Sequence, residues 1–163
     1  MPCIWGQHSG TQLFCALAII PATTPGIMGQ PHGSVFTGDV KAVRALIDTG
    51  ATTTCISKRL ATDLKLDPIG KVQVHGVGGF VSHNSYLFFV AFPFAVRPGV
   101  PLPPGLPAPA PGHVTTQVHL LDKPLQGSEF DGGSANFDVL LGMDVISTGS
   151  LVVQGNGTFS FSF

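Results

Sequence analysis

Glycine and proline interrupt this sequence so often that long helices are not expected. The 163 residues include 21 glycines and 14 prolines, about double the usual share for a protein. Both residue types weaken helix interiors and favour turns. Because 44% of the residues are hydrophobic and only 10% are charged, the chain is predicted to build a folded core as one globular domain. Collagen, coiled coils and long helical bundles are excluded.

The charge balance argues against a nucleic-acid partner. Eight basic residues stand against nine acidic ones, and the formal net charge is -1. A protein that neutralises a row of phosphates needs a basic patch, and no basic run is present. We therefore expect no binding to nucleic acid.

The cysteines and histidines do not have the spacing of a metal or redox site. Cys3, Cys15 and Cys55 cannot all pair within one chain and lack a Cys-x-x-Cys arrangement, so they are interpreted as reduced thiols. The six histidines are scattered, without a His-x-x-x-His pair. No metal and no cofactor is expected.

One apolar stretch, Leu13 to Ile20, is too short to span a bilayer and lacks a basic leader. We expect a cytoplasmic protein without stable membrane association. The odd number of cysteines weakly favours a reducing compartment.

The apolar pattern and the turn residues predict several strands and two short helices. The predicted strands are Val40–Ile47, Lys71–Val74, Phe80–Phe94, Val114–Leu121, Phe137–Leu141, Leu151–Val153 and Thr158–Phe163. One helix is predicted to begin after Ser57 as N-cap and to end before Pro68. A second helix of about one turn, 145–148, is predicted with Asp144 as its cap.

Residues 93–112 carry eight prolines in twenty positions. This density removes backbone donors and favours an extended polyproline conformation, so the segment cannot be a core strand. We interpret it as a surface loop inserted between two strands. The alternative is a docking segment for a proline-binding partner.

Asp48 follows an apolar strand and is itself followed by Thr49, Gly50 and Ala51. Here a carboxylate ends a buried strand, and a hydroxyl and a glycine turn follow it. This arrangement is typical of an acid that the protein holds in a fixed orientation rather than leaving it surrounded by water. Taken alone, the motif also fits an ordinary Asp-x-Gly turn.

Two further segments occur in the same order as around the catalytic core of the retropepsins. They are Val-His-Gly-Val-Gly-Gly-Phe-Val at 74–81 and Val-Leu-Leu-Gly-Met-Asp at 139–144. With Asp-Thr-Gly, they make the chain resemble the retroviral-type aspartic proteases, particularly their bacterial relatives, over about residues 35–163. The resemblance implies an all-β acid protease fold: a small closed β-barrel with a flap hairpin, one or two short helices and one half-site per chain.

The resemblance also implies roles for individual residues. The catalytic residues are Asp48, Thr49 and Gly50, the substrate-binding residues are Ala51, His75, Gly76, Val77, Gly78 and Gly79, and the structural residues near the site are Leu141, Gly142, Met143 and Asp144. The hairpin at 74–81 is then the flap, although its glycines also fit a plain tight turn. Thr52 and Met143 stand where many relatives carry an ion pair.

A single Asp-Thr-Gly predicts a homodimer, because hydrolysis of a peptide bond by water needs one carboxylate to accept a proton and another to donate one. The predicted activity is that of an aspartic endopeptidase acting on a peptide or protein substrate. A mildly acidic optimum is expected. The alternative is a catalytically silent dimerisation or peptide-binding module of the same fold.

The predicted protease domain spans residues 34–163, with 93–112 as its insertion. Residues 1–33 are predicted to be a flexible segment or a strand at the dimer interface. Phe159, Phe161 and Phe163 alternate with serines, so we expect the C-terminal strand to be an apolar edge that joins an intersubunit sheet.

Overall fold

The computed structural model describes residues 3–30, 35–36, 40–76, 79–95, 116–121 and 123–163, and strands dominate them. The strands are β1 (Cys3–Ser9), β2 (Gln12–Pro21), β3 (Val35–Phe36), β4 (Val43–Ile47), β5 (Cys55–Ser57), β6 (Gly70–Gly76), β7 (Gly79–Ala95), β8 (Thr116–Leu120), β9 (Leu125–Phe130), β10 (Val139–Leu141), β11 (Ser150–Val153) and β12 (Thr158–Ser162). The helices are α1 (Lys58–Asp63) and α2 (Met143–Ile146). The predicted all-β class with two short helices is confirmed.

The strands follow one continuous order, β11-β12-β1-β2-β4-β10-β5-β9-β7-β8-β3, and β6 pairs with β7. A further pairing joins β2 to β7, with Ala18 opposite Ala91. This pairing closes β2, β4, β10, β5, β9 and β7 into a ring of six strands. The ring corresponds to the predicted small closed barrel.

The main core fills the ring and extends to the C-terminal strand. Its fully buried members include Leu17, Phe88, Val139 and Phe161. A second, smaller cluster covers the other face of β2, β7 and β8, where Ile27 is completely buried. Strand β2 and residues 88–92 of β7 therefore bury side chains on both faces, which explains their nearly continuous apolar sequences.

The first helix forms where the sequence predicts it. The Ser57 hydroxyl accepts a hydrogen bond from the backbone N–H of Leu60 at 3.1 Å, and Leu60 and Ala61 face the core. Past the helix, Lys65 has a φ of 51°, and the chain turns towards β6. Neither helix of the described ranges could span a membrane, since the longer one has six residues.

Residues 3–9 and 12–21 form strands β1 and β2. β2 pairs with β4 on one side and with β7 on the other, while β1 pairs with β12. Strand is one of the two states expected for the 1–33 segment. A place for this segment at a dimer interface stays a prediction, as does a domain boundary at residue 34.

The C-terminal strand differs from the expectation of an exposed edge. β12 lies between β11 and β1, so both of its hydrogen-bonding edges are occupied within the chain. Phe159, Phe161 and Phe163 are buried in the main core. We call β11, β12 and β1 the terminal sheet; its edge strand is β11, where Val152 and Val153 are about half exposed.

The proline-rich segment joins two neighbouring strands. β7 and β8 pair antiparallel, with Ala95 opposite Thr116 at the end of the register. Its prolines beyond residue 95 lie outside the described residues, and a docking role for them stays a prediction.

Candidate active site

Asp48 is placed by the strand that precedes it. β4 lies between β2, which is antiparallel, and β10, which is parallel and puts Leu141 opposite Ile47. Ala45 and Ile47 of β4 are buried in the core. The pairing continues one residue further, because the Asp48 N–H donates to the Leu141 carbonyl at 3.0 Å. The carboxylate is thus attached to a rigid element.

The residues after Asp48 fold the chain into a turn that fixes one carboxylate oxygen. The Gly50 N–H donates to Asp48 Oδ1 at 2.8 Å, and the Ala51 N–H donates to the Asp48 carbonyl at 3.2 Å. A Cβ at position 50 would lie 3.1 Å from Oδ1, so glycine leaves the space that this bond needs. Asp48 is half-buried, and Thr49 and Gly50 are exposed. The acid is therefore oriented and still open to solvent.

The segment 141–144 supports the rest of this turn. We call residues 48–54 the Asp48 loop. The Met143 N–H donates to the Ala51 carbonyl at 2.8 Å and the Asp144 N–H donates to the Thr52 carbonyl at 3.2 Å. A Cβ at Gly142 would stand 2.5 Å from the Thr53 carbonyl carbon, so only glycine permits this approach. The structure thus brings the predicted residues 141–144 against the predicted catalytic motif.

Asp144 does not cap its helix as the sequence predicts. Helix α2 begins two residues earlier than expected for a cap at 144, with Gly142 as its N-cap. The Asp144 carboxylate instead accepts hydrogen bonds from Thr54, through the hydroxyl at 2.7 Å and the backbone N–H at 2.9 Å. An aspartate before a short apolar run is the usual pattern of a helix cap. The local sequence gives no indication that this aspartate binds a residue ninety positions away.

Thr54 is the site residue that sequence reasoning missed. Its side chain is completely buried, and its hydroxyl both donates to Asp144 and accepts from the Gly142 N–H at 3.1 Å. The only local signal is its place in a run of three threonines. Thr52 and Thr53 of that run are exposed, and Met143 is 37% exposed.

The glycine-rich hairpin forms as predicted, but its tip lies outside the described residues. β6 and β7 pair from Gly70 opposite Ser85 to Gly76 opposite Gly79, which leaves Val77 and Gly78 between them. Gly79 has a φ of 106°, which favours glycine there. The backbones of His75 and Gly76 belong to the paired part of the hairpin. The described contacts join the Asp48 loop to 141–144, so the flap role of the hairpin stays a prediction.

The two strands of the hairpin expose apolar side chains. Phe80 is 73% exposed, Val81 53% and Val74 39%. Val74 and Val81 are cross-strand partners. This half of β7 contrasts with residues 86 and 88–92, which are buried.

The base of the hairpin is fastened to β9 through a buried glutamate. The Tyr86 hydroxyl donates to Glu129 Oε2 at 2.7 Å, and the Asn84 N–H donates to Oε1 at 3.3 Å. Burial alone would raise the pKa of Glu129, but these hydrogen bonds outweigh it and lower that pKa below 4.5. Burial, and then the bond to Glu129, raise the pKa of Tyr86.

The thiols and the possible metal ligands are dispersed. Burial raises the pKa of the Cys15 thiol to about 12, so this thiol is neutral at ordinary pH. The three cysteines are unpaired: Cys3 is exposed and Cys55 is partly buried. Within the described ranges, no three His, Cys, Asp or Glu side chains are grouped closely enough to hold a metal ion.

Comparisons with known proteins point the same way as the motifs. Residues 33–90 match the family described as aspartyl protease. The matched range contains both the Asp-Thr-Gly turn and the hairpin. It confirms the resemblance to aspartic proteases that the sequence predicts.

A solved structure is also similar over most of the chain. It is a retropepsin-like aspartic protease from Rickettsia conorii, with 14% sequence identity, a TM-score of 0.42, and coverage of 94% of this chain and 96% of that one. No curated protein sequence matches the chain significantly.

Proposed function

We propose that this protein is an aspartic endopeptidase that works as a homodimer. The observation that carries the proposal is the Asp48 turn: a half-buried carboxylate at the end of a core strand, with one oxygen held by the Gly50 N–H at 2.8 Å. The aspartyl protease match over residues 33–90 supports the same chemistry. The substrate is an extended peptide.

The proposed reaction needs two carboxylates that share one proton. Two carboxylates within hydrogen-bond distance cannot both ionise easily, so one is charged and the other protonated. The ionised Asp48 takes a proton from water as the water attacks the peptide carbonyl, and the protonated Asp48 of a second copy donates to the carbonyl oxygen. The C–N bond of the resulting diol then breaks as the first Asp48 passes its proton to the leaving amine and the second Asp48 takes a proton back from the diol, so no covalent intermediate with the enzyme forms. Turnover falls at both ends of the pH range, because each end removes one of the two protonation states.

Dimerisation is proposed because the chain has a single Asp-Thr-Gly. The Asp144 carboxylate, which contacts the last residue of the Asp48 loop, is already engaged by Thr54 and is not available as the second acid. Thr49 is exposed beside Asp48, where a second copy would approach. Among the described strands, β11 pairs only with β12, and its outer edge, with Val152 and Val153 half exposed, is a further surface that a second copy would cover.

The hairpin is proposed as the flap. Its exposed Val74, Phe80 and Val81 would lose water contact against an extended apolar peptide, which stabilises the complex. Gly76, Val77, Gly78 and Gly79 at its tip, with Ala51 in the Asp48 loop, are the proposed contacts to substrate backbone. His75 lies next to them without a chemical role that we can assign.

The test is cleavage of a mixed peptide library between pH 3 and 7 by the wild type and by Asp48→Asn, with and without pepstatin. Asp67→Asn is the matched control, because Asp67 is exposed and lies in the loop after α1. We expect cleavage by the wild type and by Asp67→Asn and none by Asp48→Asn. The oligomeric state of every sample is measured in parallel by sedimentation.

Cleavage that survives Asp48→Asn would overturn the proposed mechanism. A well-folded wild-type dimer that cleaves nothing at any pH would favour the binding module instead. Maximal turnover near pH 2 would contradict the mildly acidic optimum.

A further inference from the structure

Thr54 and Asp144 make a compact hydrogen-bonded pair behind the Asp48 loop. Thr54 donates to both carboxylate oxygens, with its hydroxyl to Oδ1 at 2.7 Å and its backbone N–H to Oδ2 at 2.9 Å. The Val145 N–H donates to Oδ1 at 3.0 Å, and the Gly142 N–H donates to the Thr54 hydroxyl at 3.1 Å. Every polar atom of the two side chains is therefore used.

The position of this pair connects two segments that are distant in sequence. Thr54 is the last residue of the Asp48 loop, and Asp144 lies in the first turn of α2. The Leu141 carbonyl fixes the first residue of the same loop at 3.0 Å. Both ends of the loop are thus held by residues 141–144, and the pair is the side-chain part of that support.

Removing one partner of the pair is also expected to destabilise the protein. Thr54 is completely buried, so removing its hydroxyl leaves the Gly142 N–H without its acceptor and takes from Asp144 Oδ1 the shorter of its two hydrogen bonds, with the Val145 N–H as the remaining donor. A pair that is satisfied in all its members holds its surroundings in one arrangement. The donors to Asp144 are a hydroxyl and two backbone N–H groups, so the carboxylate holds the loop without a positively charged partner.

We infer that Thr54 and Asp144 are positioning residues that fix the Asp48 carboxylate in its reactive orientation, a role that rests on the proposed protease function. Neither side chain touches the substrate. They act through the backbone of the Asp48 loop.

The experiment compares Thr54→Val, which has the same shape without the hydroxyl, with Thr54→Ser, which keeps it. Thr148→Val is the matched control, because the Thr148 hydroxyl donates to the Val145 carbonyl at 2.7 Å at the far end of α2 and does not reach the Asp48 loop. For each variant, kcat and KM are measured on the same peptide, and amide hydrogen exchange is measured over residues 48–54. Folded fraction and dimer content are determined first, so that rates refer to folded enzyme.

For Thr54→Val we expect kcat to fall about 10- to 100-fold, as for other small displacements of reacting groups. The change in KM should be less than about threefold, because substrate contacts remain. Exchange at the amides of Gly50 and Ala51 should accelerate. Thr54→Ser and Thr148→Val should stay close to the wild type in all three measurements.

The outcomes separate the two claims. If the wild type cleaves peptides and Thr54→Val keeps its kcat and its exchange rates, the positioning role is wrong. A fall in kcat shared equally by Thr148→Val would also overturn it, since the effect would belong to helix α2 in general. If the wild type cleaves nothing, the protease function fails and takes the catalytic role with it, while faster exchange in Thr54→Val would still show that the pair fixes the loop.

Discussion

The Asp48 loop and the glycine-rich hairpin are both turns that follow strands, yet they are supported in opposite ways. The loop is held at Asp48, Ala51, Thr52 and Thr54 by hydrogen bonds from the segment 141–144. The hairpin is fastened at its base, where Asn84 and Tyr86 meet Glu129, and its outer part exposes Phe80 and Val81. A reacting group needs a fixed position, whereas a cover over a substrate needs freedom to open.

The largest effect is expected from a comparison of two phenylalanines of β7, one in its outer half and one in its buried half. Phe88 is completely buried and Phe80 is 73% exposed. Phe88→Ala should lower the free energy of unfolding by about 3–5 kcal/mol, and Phe80→Ala should change it by less than about 0.5 kcal/mol. Thermal and urea unfolding of both variants measures this. A large loss for Phe80→Ala would mean that the outer hairpin is packed and the contrast is false.

The second test concerns the close approach behind the Asp48 loop. Gly142→Ala places a methyl group 2.5 Å from the Thr53 carbonyl carbon, so backbone must shift and stability should fall by about 2–3 kcal/mol. Gly155→Ala is the control, because its Cβ would meet open space. Urea unfolding of the two variants gives the difference. Equal stability would show that the loop yields easily and is not rigidly supported.

The third test removes the charge at the base of the hairpin. Because the pKa of Glu129 is lower in the folded protein than 4.5, the ionised form stabilises the fold above about pH 4.5, and this contribution disappears as the pH falls through the lowered pKa. Glu129→Gln should therefore cost about 1–2 kcal/mol at pH 7 and less at pH 3. Unfolding measured at both pH values checks the sign. A loss that grows towards pH 3 would contradict it.

The smallest effect concerns thiol reactivity near the strand that carries Asp48. Cys15 pairs with Ala45 across β2 and β4, and burial raises its pKa to about 12. A maleimide should label Cys3 rapidly and Cys55 more slowly, and should reach Cys15 only after unfolding. The double variant Cys3→Ser, Cys55→Ser leaves Cys15 as the only thiol for the measurement. Rapid labelling of that variant would show that β2 opens.

Local sequence signals predicted the parts of the fold that depend on neighbouring residues. Ser57 caps α1, the hairpin forms around Gly79, and β4 leads into Asp48 as expected. β9 was missed because its buried Ser128 and Glu129 look like surface residues until their hydrogen-bond partners are known. Leu13 to Ile20 was considered only as a possible membrane span. Because both faces of this strand are buried, its sequence lacks the alternation of apolar and polar residues that predicts a strand.

In the candidate site, too, local motifs were predictable and contacts between distant residues were not. Asp48, Thr49 and Gly50 form one local motif, so the sequence was sufficient to predict the turn that they make, while their catalytic role stays a prediction. The role of Thr54 depends on Asp144, ninety residues further along the chain, and no local sequence pattern predicts that contact. The edge of the terminal sheet was misplaced for the same reason, because the strands that flank β12 are known only from the tertiary pairing.

The place of β2 in the six-stranded ring has a consequence for how this protein is matured. A cut after residue 33 that released the preceding chain would take β2 from between β4 and β7 and leave two unpaired strand edges. It would also remove Leu17 and Ile19 from the main core. Strand β2 is part of the six-stranded ring, so removing the N-terminal part in the manner of a detachable propeptide would disrupt the fold.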